Sequence, residues 1–234
     1  MAQNELSFFR KGPRILNDHF TLDPNEFLYW NLSYSMQGED LVLRSMLKGK
    51  LKAGEIGFYV DLGSYDCRYG SNSYLFYRYG WRGICVDVNP GIVSHYSKIR
   101  PRDVFVSAAV GEAGKGYFIK AAMEASSRVV RAQEEITSSD GEIIEVSFLP
   151  LDVLFNQHVP PGVEIDFMNI DIEGGELSAL KSNNWSRYRP KIIMIEVNDL
   201  DMDNFWSAEV LRYLRDLGYK TVGVMFPNVV MIAT

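Results

Sequence analysis

Two short apolar runs that end in acidic residues constrain the fold of this chain more than any other feature. Residues 58–63 read Phe-Tyr-Val-Asp-Leu-Gly, and residues 83–90 read Gly-Ile-Cys-Val-Asp-Val-Asn-Pro. Such runs, bounded by glycine and polar residues, are typical of buried parallel strands. Because ligands bind at the carboxyl ends of these strands, the acids Asp61 and Asp87 mark a candidate binding edge.

The residues at these two strand ends indicate a ligand that contains adenosine. Gly63 permits close approach of a ligand to the backbone, and a helix that starts near Ser71 and Asn72 offers free N–H groups. Asp87 ends the second strand, where a carboxylate accepts hydrogen bonds from both hydroxyls of a ribose. We therefore expect these residues, together with Asp61, to bind the ligand.

The acids near the first strand favour a cationic ligand over a dinucleotide. Residues 63–70 read Gly-Ser-Tyr-Asp-Cys-Arg-Tyr-Gly, which lacks the G-x-G-x-x-G pattern of dinucleotide-binding folds. Asp61 and Asp66 would repel a pyrophosphate and attract a cation. S-adenosylmethionine carries a sulfonium and an ammonium group beside its ribose, so it is the expected cofactor.

Composition excludes several classes of protein. The chain has 234 residues, 47% of them hydrophobic, and a net charge of −6, which suits one globular domain without a nucleic-acid-binding face. The short basic run at residues 100–102 is predicted to be solvated surface. Two cysteines, Cys67 and Cys85, suit a reducing compartment and exclude a thiolate metal site. No signal peptide or membrane span is visible, so a cytoplasmic location is expected.

Strand and helix patterns alternate from residue 58 onward and predict an α/β fold with a doubly wound, mostly parallel seven-stranded sheet. The last two predicted strands, 219–225 and 229–233, are joined by residues 226–228. That connection is too short for a parallel crossover, so the pair is predicted to be an antiparallel hairpin. Such a C-terminal hairpin is a feature of class I methyltransferases, which are Rossmann-like.

Two segments fall outside this alternation. Residues 1–34 are rich in aromatic side chains and are predicted to form an N-terminal arm that packs on the domain at 35–234, on a substrate or on a second subunit. A homo-oligomer is therefore one expected arrangement. Residues 121–142, rich in Ser, Glu, Arg and Ala, are predicted to be an irregular insertion over the carboxyl edge of the sheet.

Two further strand ends carry acids. A predicted strand at 165–171 ends in Asp171, and Glu173 and Glu176 open the following helix, where acids also serve as caps. The next strand ends in Glu196, and side-chain alternation points Asn198 the same way, beside Asp171. Asp171 interrupts a buried apolar strand, which favours a functional role because buried carboxylates are rare without one.

These residues are the candidates for catalysis. Asp171 is predicted to act as a general base or to position the acceptor, with Glu196 supporting it. His158, predicted in the loop before the Asp171 strand, is the alternative base, while His95 is predicted on the surface and His19 in the arm. A divalent cation such as Mg²⁺ on the same oxygen ligands is the lesser alternative, so no metal is expected.

Seven segments in this order resemble the FkbM-type S-adenosylmethionine-dependent methyltransferases. They are 35–40 (Ser-Met-Gln-Gly-Glu-Asp), 60–63 (Val-Asp-Leu-Gly), 71–72 (Ser-Asn), 79–83 (Tyr-Gly-Trp-Arg-Gly), 86–90 (Val-Asp-Val-Asn-Pro), 151–152 (Leu-Asp) and 170–176 (Ile-Asp-Ile-Glu-Gly-Gly-Glu). The resemblance spans residues 35–198. One departure is Asp87, since that strand often ends in Glu in such proteins.

The resemblance implies O-methylation, most often of a sugar or polyketide-type hydroxyl. With it, the expected cofactor-binding set consists of Gln37, Asp61, Gly63, Ser71, Asn72, Asp87, Asn89, Ser107 and Asp171. The expected acceptor is a hydroxyl of a sugar, glycan or glycan precursor. The alternatives are a polyketide-type or other small-molecule hydroxyl and, less favoured, a non-catalytic module that binds an adenosine ligand. Such a module would not need Asp171 and Glu196.

Overall fold

The computed structural model describes residues 31–120, 127–131, 135–137 and 141–234, and these form an α/β structure with two sheets. The predicted N-terminal arm lies outside the described residues except for 31–34, as does much of 121–142. The helices are α1 (Glu39–Met46), α2 (Lys48–Lys52), α3 (Tyr74–Arg78), α4 (Val93–Ile99), α5 (Leu151–His158), α6 (Glu176–Lys181) and α7 (Glu209–Asp216), with 3₁₀ turns at Pro90–Ile92 and Phe205–Ser207. The strands are β1 (Phe58–Leu62), β2 (Arg82–Asp87), β3 (Val104–Ser107), β4 (Ala109–Val110), β5 (Gly114–Lys120), β6 (Arg128–Val130), β7 (Glu142–Leu149), β8 (Phe167–Ile170), β9 (Ile192–Glu196), β10 (Tyr219–Met225) and β11 (Asn228–Ala233).

The larger sheet has seven strands in the order β10-β11-β9-β8-β1-β2-β3. Strands β9, β8, β1, β2 and β3 run parallel, whereas β11 runs antiparallel to both β9 and β10. A seven-stranded, mostly parallel sheet is therefore present as predicted. Since the carboxyl ends of parallel strands meet at one edge, the residues that follow Leu62, Ile170 and Ile195 lie together there.

Apolar side chains cover both faces of this sheet. Strand β1 is buried along its whole length, and its alternate residues enter two different clusters. Val60 packs with α5, α6 and α7, whereas Tyr59 packs with α1, α3 and α4 on the opposite face. A strand that is buried on both faces reads as a continuous apolar run, which is why β1 is visible in the sequence.

A second sheet, with four strands in the order β4-β7-β5-β6, was not predicted. Strand β6 (Arg128–Val130) lies inside 121–142, so the prediction of an irregular insertion is wrong for this part of it. With only three residues, Arg-Val-Val, it is too short to show the alternation by which strands are found. A side chain at Gly111, which follows β4, would meet the hydroxyl of Ser178 on α6 at 2.8 Å. The small sheet therefore borders the helix that follows Asp171.

None of the helices among the described residues has the length and apolar character that crossing a bilayer requires.

Candidate functional site

The end of β1 lies in direct contact with the end of β8. Gly63 has a φ of +78°, and a Cβ built on it would lie 1.6 Å from the backbone oxygen of Asp171. The N–H groups of Gly63 and Ser64 both donate to the oxygen of Val86, at 2.9 and 3.0 Å. The glycine is therefore required by contact within the chain itself, whereas the sequence suggests contact with a ligand.

Asp61 lies on β1 and is 1% exposed. Its carboxylate accepts hydrogen bonds from the hydroxyl of Ser73 and from Nδ2 of Asn169, the latter at 3.0 Å. Burial raises the pKa of Asp61, and the hydrogen bond from Ser73 and the charge of Arg100 oppose that shift. Both hydrogen bonds of Asp61 are thus made to the protein itself. Its predicted contact with the cofactor stays a prediction.

Asp87 ends β2 half-buried, with both carboxylate oxygens directed at the loops of the edge. One oxygen accepts the N–H of Tyr65 at 2.9 Å, and the other accepts the N–H of Asn89 at 2.8 Å. Burial raises the pKa of Asp87, while these two backbone donors lower it. Each carboxylate oxygen can accept more than one hydrogen bond, so Asp87 keeps capacity for the two hydroxyls of a ribose.

The other predicted cofactor residues lie around this edge. Ser107 is exposed and is the register partner of Asp87 on β3. Asn89 is half-buried, and its side chain accepts the N–H of Gly91 at 2.9 Å. Gln37 is exposed, and its backbone N–H donates to the carboxylate of Glu39 at 2.7 Å.

Ser71 and Asn72 are buried in front of α3. The hydroxyl of Ser71 accepts the N–H of Tyr74, the first residue of α3, at 3.0 Å. Nδ2 of Asn72 donates to Oδ1 of Asn169 at 2.9 Å. Oδ1 of Asn72 and the hydroxyl of Ser64 are buried and have no hydrogen-bond partner among the described residues. Buried polar atoms of this kind call for a bound water or a ligand group.

Three carboxylates meet at the ends of β8 and β9. Asp171, Glu173 and Glu196 each offer one oxygen, and these oxygens lie within 4.8 Å of one another. Asn198 donates from Nδ2 to the second carboxylate oxygen of Glu196 at 3.1 Å. The structure therefore brings Asp171, Glu196 and Asn198 together, but β9 ends at Glu196 and Asn198 lies in the turn that follows, so the contact does not arise from strand alternation. We call Asp171, Glu173 and Glu196 the acidic cluster.

A side-chain hydrogen bond between Asp171 and Glu196 favours the protonated form of Asp171. Burial is the main cause that raises the pKa of Asp171, to about 8, and the charge of Glu196 adds to it. Burial and the charges of Glu196 and Glu176 also raise the pKa of Glu173. A carboxyl group whose pKa lies near neutrality is suited to proton transfer.

Glu173 and Glu176 differ in what they contact, although the sequence left both open between capping and function. Glu176 accepts the backbone N–H of Gly174 at 3.0 Å and that of Ile172 at 3.3 Å, so it fixes the loop. Glu173 belongs to the acidic cluster and holds a φ of +56°. Residues other than glycine rarely adopt this conformation, which is found preferentially at functional sites.

His158 is not part of the acidic cluster. It is the last residue of α5, and the prediction that it lies in a loop is wrong. The chain then enters β8 at the opposite edge, where the N–H of Asp166 donates to the oxygen of Phe58. His95 is exposed on α4, as predicted, and His19 lies outside the described residues.

Sequence analysis missed two buried charged residues near the site. Arg100 was expected on the surface but is 1% exposed, with its guanidinium hydrogen-bonded to Ser71, Ser73, Tyr59 and Asp103. Glu39 is 3% exposed and accepts from Asn228, the register partner of Glu196. No signal in the sequence next to Arg100 indicates its burial, because three of the tyrosines around it, Tyr59, Tyr74 and Tyr77, are distant in sequence.

S-adenosylmethionine suits this set of residues. Asp87 retains acceptor capacity for a ribose, and the buried polar atoms of Ser64 and Asn72 lack protein partners among the described residues. Carboxylates at the same edge suit a ligand that carries positive charge. The chemistry of these side chains therefore fits the cofactor that the sequence predicts.

Solved structures that align with this chain include monomeric WbdD and two methyltransferases. Monomeric WbdD aligns with 13% identity and a TM-score of 0.44 over 90% of this chain, which spans only 44% of that protein. A Burkholderia thailandensis 1,6-didemethyltoxoflavin-N1-methyltransferase, solved with S-adenosylhomocysteine, aligns with 13% identity and a TM-score of 0.41, over 85% of this chain and 79% of that one. A Geobacter metallireducens precorrin-6y C5,15-methyltransferase aligns with 15% identity and a TM-score of 0.38, over 81% and 85%.

These identities and TM-scores are too low to carry an argument about substrate or mechanism. No curated protein matches the chain. The model of the family described as the methyltransferase FkbM domain matches residues 61–221, which is well over half of the sequence. That range includes most of β1, all of β2, the acidic cluster and the first residues of β10. The chain therefore belongs to the FkbM family of methyltransferases.

Proposed function

We propose that this protein transfers a methyl group from S-adenosylmethionine to a hydroxyl oxygen of a sugar, glycan or glycan precursor. The observation that carries the proposal is the hydrogen-bonded pair of Asp171 and Glu196 at the edge that also presents Asp87. An alkyl hydroxyl is a weak nucleophile, so its methylation needs a group that takes the proton. The strand order and the C-terminal hairpin support a doubly wound, class I arrangement.

Each residue takes its role from its place at the edge. Asp87 holds the ribose, while Ser64, Asn72, Gln37 and the loops around them enclose the rest of the cofactor. The reaction is a displacement in line with the bond between sulfur and the methyl group, and holding the two reactants in alignment lowers the barrier most. The carboxylate of Asp171, in its ionised form, accepts the hydroxyl proton as the new C–O bond forms and the bond between sulfur and the methyl group breaks.

Two observations support a neutral polyol as the acceptor. The acidic cluster disfavours an anionic group at the reacting position, because like charges repel at short range. Phe226 is 61% exposed on the turn between β10 and β11, and the oxygen of the next residue, Pro227, accepts the N–H of Val197. Phe226 therefore lies next to the residue that hydrogen-bonds to Val197, which follows Glu196 in the sequence. Its exposed ring offers an apolar surface on which a sugar or polyketide ring can pack.

Other features fit this function without deciding it. Cys67 and Cys85 are both buried and unpaired, which suits a reducing compartment such as the cytoplasm. A small-molecule hydroxyl remains the alternative acceptor. A divalent metal on the acidic cluster is a second candidate mechanism, because the three oxygens lie within 4.8 Å of one another. A homo-oligomer remains a prediction.

The first test is ligand binding by the whole chain. S-adenosylhomocysteine raises the melting temperature, because it binds only the folded state, and NAD does not. Transfer of a labelled methyl group from S-adenosylmethionine to a panel of sugars, polyketide-type alcohols and amines then identifies the acceptor class. Absence of a shift with S-adenosylhomocysteine overturns the cofactor. Labelled amines without labelled alcohols overturn O-methylation. Loss of transfer in chelator, restored by Mg²⁺, supports the metal mechanism.

A further inference from the structure

One buried cluster of side chains, outside the acidic cluster, is tied to the loop between β1 and α3. At its centre Arg100 forms an ion pair with Asp103, with Nε and Oδ2 2.7 Å apart and both side chains fully buried. The guanidinium carbon lies 5.3 to 5.8 Å from the centres of four tyrosine rings, those of Tyr59, Tyr74, Tyr77 and Tyr96. A buried arginine enclosed in this way is held in one orientation, because cation–π contacts and a planar fork of donors both restrict it.

The remaining donors of Arg100 bind two serines at the end of the loop between β1 and α3, which we call the cofactor loop. Nη1 donates to the hydroxyl of Ser71 at 3.2 Å, and Nη2 donates to the hydroxyl of Ser73 at 2.8 Å. Ser73 in turn donates to the carboxylate of Asp61. All five N–H groups of a guanidinium are fixed in one plane, so the position of Arg100 sets the position of both serines.

The hydrogen-bonded chain continues from Asp61 to Asn72. Asp61 accepts from Asn169 at 3.0 Å, and Oδ1 of Asn169 accepts from Nδ2 of Asn72 at 2.9 Å. Asn72 is 8% exposed, and its Oδ1 is buried without a hydrogen-bond partner among the described residues. This series of hydrogen bonds therefore fixes the orientation of the Asn72 carboxamide, and Oδ1 of Asn72 remains available as an acceptor.

Tyr96, one of the four tyrosines around Arg100, binds the other end of the cofactor loop. The hydroxyl of Tyr96 donates to the backbone oxygens of Ser64 at 2.9 Å and of Asp66 at 3.3 Å. Between these residues, Tyr65 adopts a φ of +40° and donates its N–H to Asp87. Both ends of the loop that surrounds the cofactor are thus anchored on the group centred on Arg100.

We propose that Arg100 is a positioning residue for the cofactor, which acts through Ser73, Asp61 and Asn169 to hold Asn72 in its binding orientation. This inference rests on the proposed function, because it concerns how the S-adenosylmethionine site is held. Arg100 itself touches neither the cofactor nor the acceptor. Its contribution is to order the loop in advance, so that binding of the cofactor does not have to supply that ordering.

Removal of the link between Arg100 and Asp61 tests the proposal. Ser73→Ala deletes one hydroxyl and leaves the ion pair of Arg100 and Asp103 intact. Calorimetry should show S-adenosylhomocysteine binding weakened about tenfold or more, the scale of one net hydrogen bond. The matched control is Ser182→Ala, which also removes a partly buried hydroxyl with two hydrogen bonds, to Leu151 and Ala179, far along the chain from the loop. It should lower the melting temperature and leave binding unchanged.

Arg100→Lys keeps the positive charge and loses the fork of donors, so it should weaken binding as Ser73→Ala does. Because that variant removes buried contacts and can fail to fold, Ser73→Ala decides the outcome. A double-mutant cycle adds a readout that a merely structural role would not move. In the background of Asn72→Ala, Ser73→Ala should cause little further loss of affinity, since Ser73 acts through Asn72.

The failures are distinguishable. A folded wild-type chain that does not bind S-adenosylhomocysteine overturns the proposed function and this inference with it. A wild type that binds, together with a Ser73→Ala variant whose affinity equals that of Ser182→Ala, overturns this inference alone. Additive losses in the double-mutant cycle overturn the route through Asn72.

Discussion

Two carboxyl groups that share a hydrogen bond carry one negative charge between them near neutral pH. In this chain the pair is Asp171 and Glu196, and burial of Asp171 favours its protonated form. The amide of Asn198 donates to Oε2 of Glu196, which restrains that side chain. Asp171 must therefore lose its proton before it can act as the base that the proposed function assigns to it.

Asp171→Asn keeps the shape of the side chain and removes its charge. We expect turnover to fall by roughly 10²–10⁴, the usual scale for losing a general base. Affinity for S-adenosylhomocysteine should stay close to that of wild type. Steady-state kinetics and calorimetry measure the two quantities, and wild-type turnover in this variant would exclude Asp171 as the base.

The pH dependence of turnover should report the same pair. Because the ionised form takes the proton, kcat should rise with pH and level off above an apparent pKa of about 8. In Glu196→Gln the neighbouring charge that raises the pKa of Asp171 is gone, so the rising limb should move to lower pH by about one unit. An unchanged limb in that variant would show that another group titrates.

Asp87→Ala removes both acceptor oxygens from the end of β2. It should weaken binding of S-adenosylhomocysteine by about 1–3 kcal/mol, as expected for hydrogen bonds to a charged group. The same variant frees the N–H groups of Tyr65 and Asn89, so circular dichroism must first establish that it folds. A folded variant with unchanged affinity would remove Asp87 from the site.

At the scale of elements, the paired strands β1 and β8 also make a close contact just beyond their ends, at Gly63. Gly63→Ala places a Cβ 1.6 Å from the backbone oxygen of Asp171, where only movement of the backbone relieves the clash. Gly162→Ala is the matched control, since it has a similar φ of +77° and no atom within 4 Å of the added Cβ. The control should cost about 1–2 kcal/mol from its conformation alone.

Gly63→Ala should cost at least about 2 kcal/mol more than the control, since overpacking adds to the strain. Urea unfolding measures both variants. Equal losses would show that the conformation of Gly63, and not its contact with Asp171, is what requires glycine.

Strands whose own residues carry a clear apolar pattern were predictable from the sequence. Strands β1 and β10 begin and end where their apolar patterns predict. Asn198 does contact Glu196, but from the turn after β9 and not by alternation along one strand. Strand β6 escaped prediction, because its pairing with β5 depends on the folded chain and its three residues are too few to show a pattern. Pairing between strands can override a weak local pattern.

Arg100 shows why part of the site could not be read from sequence. It follows an amphipathic helix and sits next to Pro101 and Arg102, which is the usual setting of a solvated basic run. Arg102 is indeed exposed, whereas Arg100 is buried against groups from β1, α3 and α4. Burial of a charge depends on partners that only the folded chain assembles.

At the scale of the whole molecule, the acidic pair lowers stability as pH rises. The folded chain holds the proton of Asp171 up to a pKa of about 8, whereas the unfolded chain releases it near the ordinary value of 3.8. Between these values the folded state binds more protons, so its free energy of unfolding falls with increasing pH. Partial exposure of Asp171 reduces the size of this effect.

Asp171→Asn should therefore unfold at a higher temperature than wild type at about pH 9, by a few degrees, and at nearly the same temperature at about pH 4. Asp201→Asn, at an exposed position, is the control and should show no such trend. Scanning calorimetry across that range makes the measurement. A difference that does not grow with pH would contradict the raised pKa of Asp171.

Gly63 and the backbone oxygen of Asp171 are so close that no side chain fits between the end of β1 and the end of β8. Strand β1 leads into the loop proposed to bind the cofactor, and β8 leads to Asp171. The N–H of Asp171 also donates to the oxygen of Leu62, which locks the two backbones side by side. A displacement of either backbone must be followed by the other. Under the proposed function, the sheet itself therefore sets the distance between the methyl donor and the proton acceptor, and this distance does not have to be established anew at each turnover.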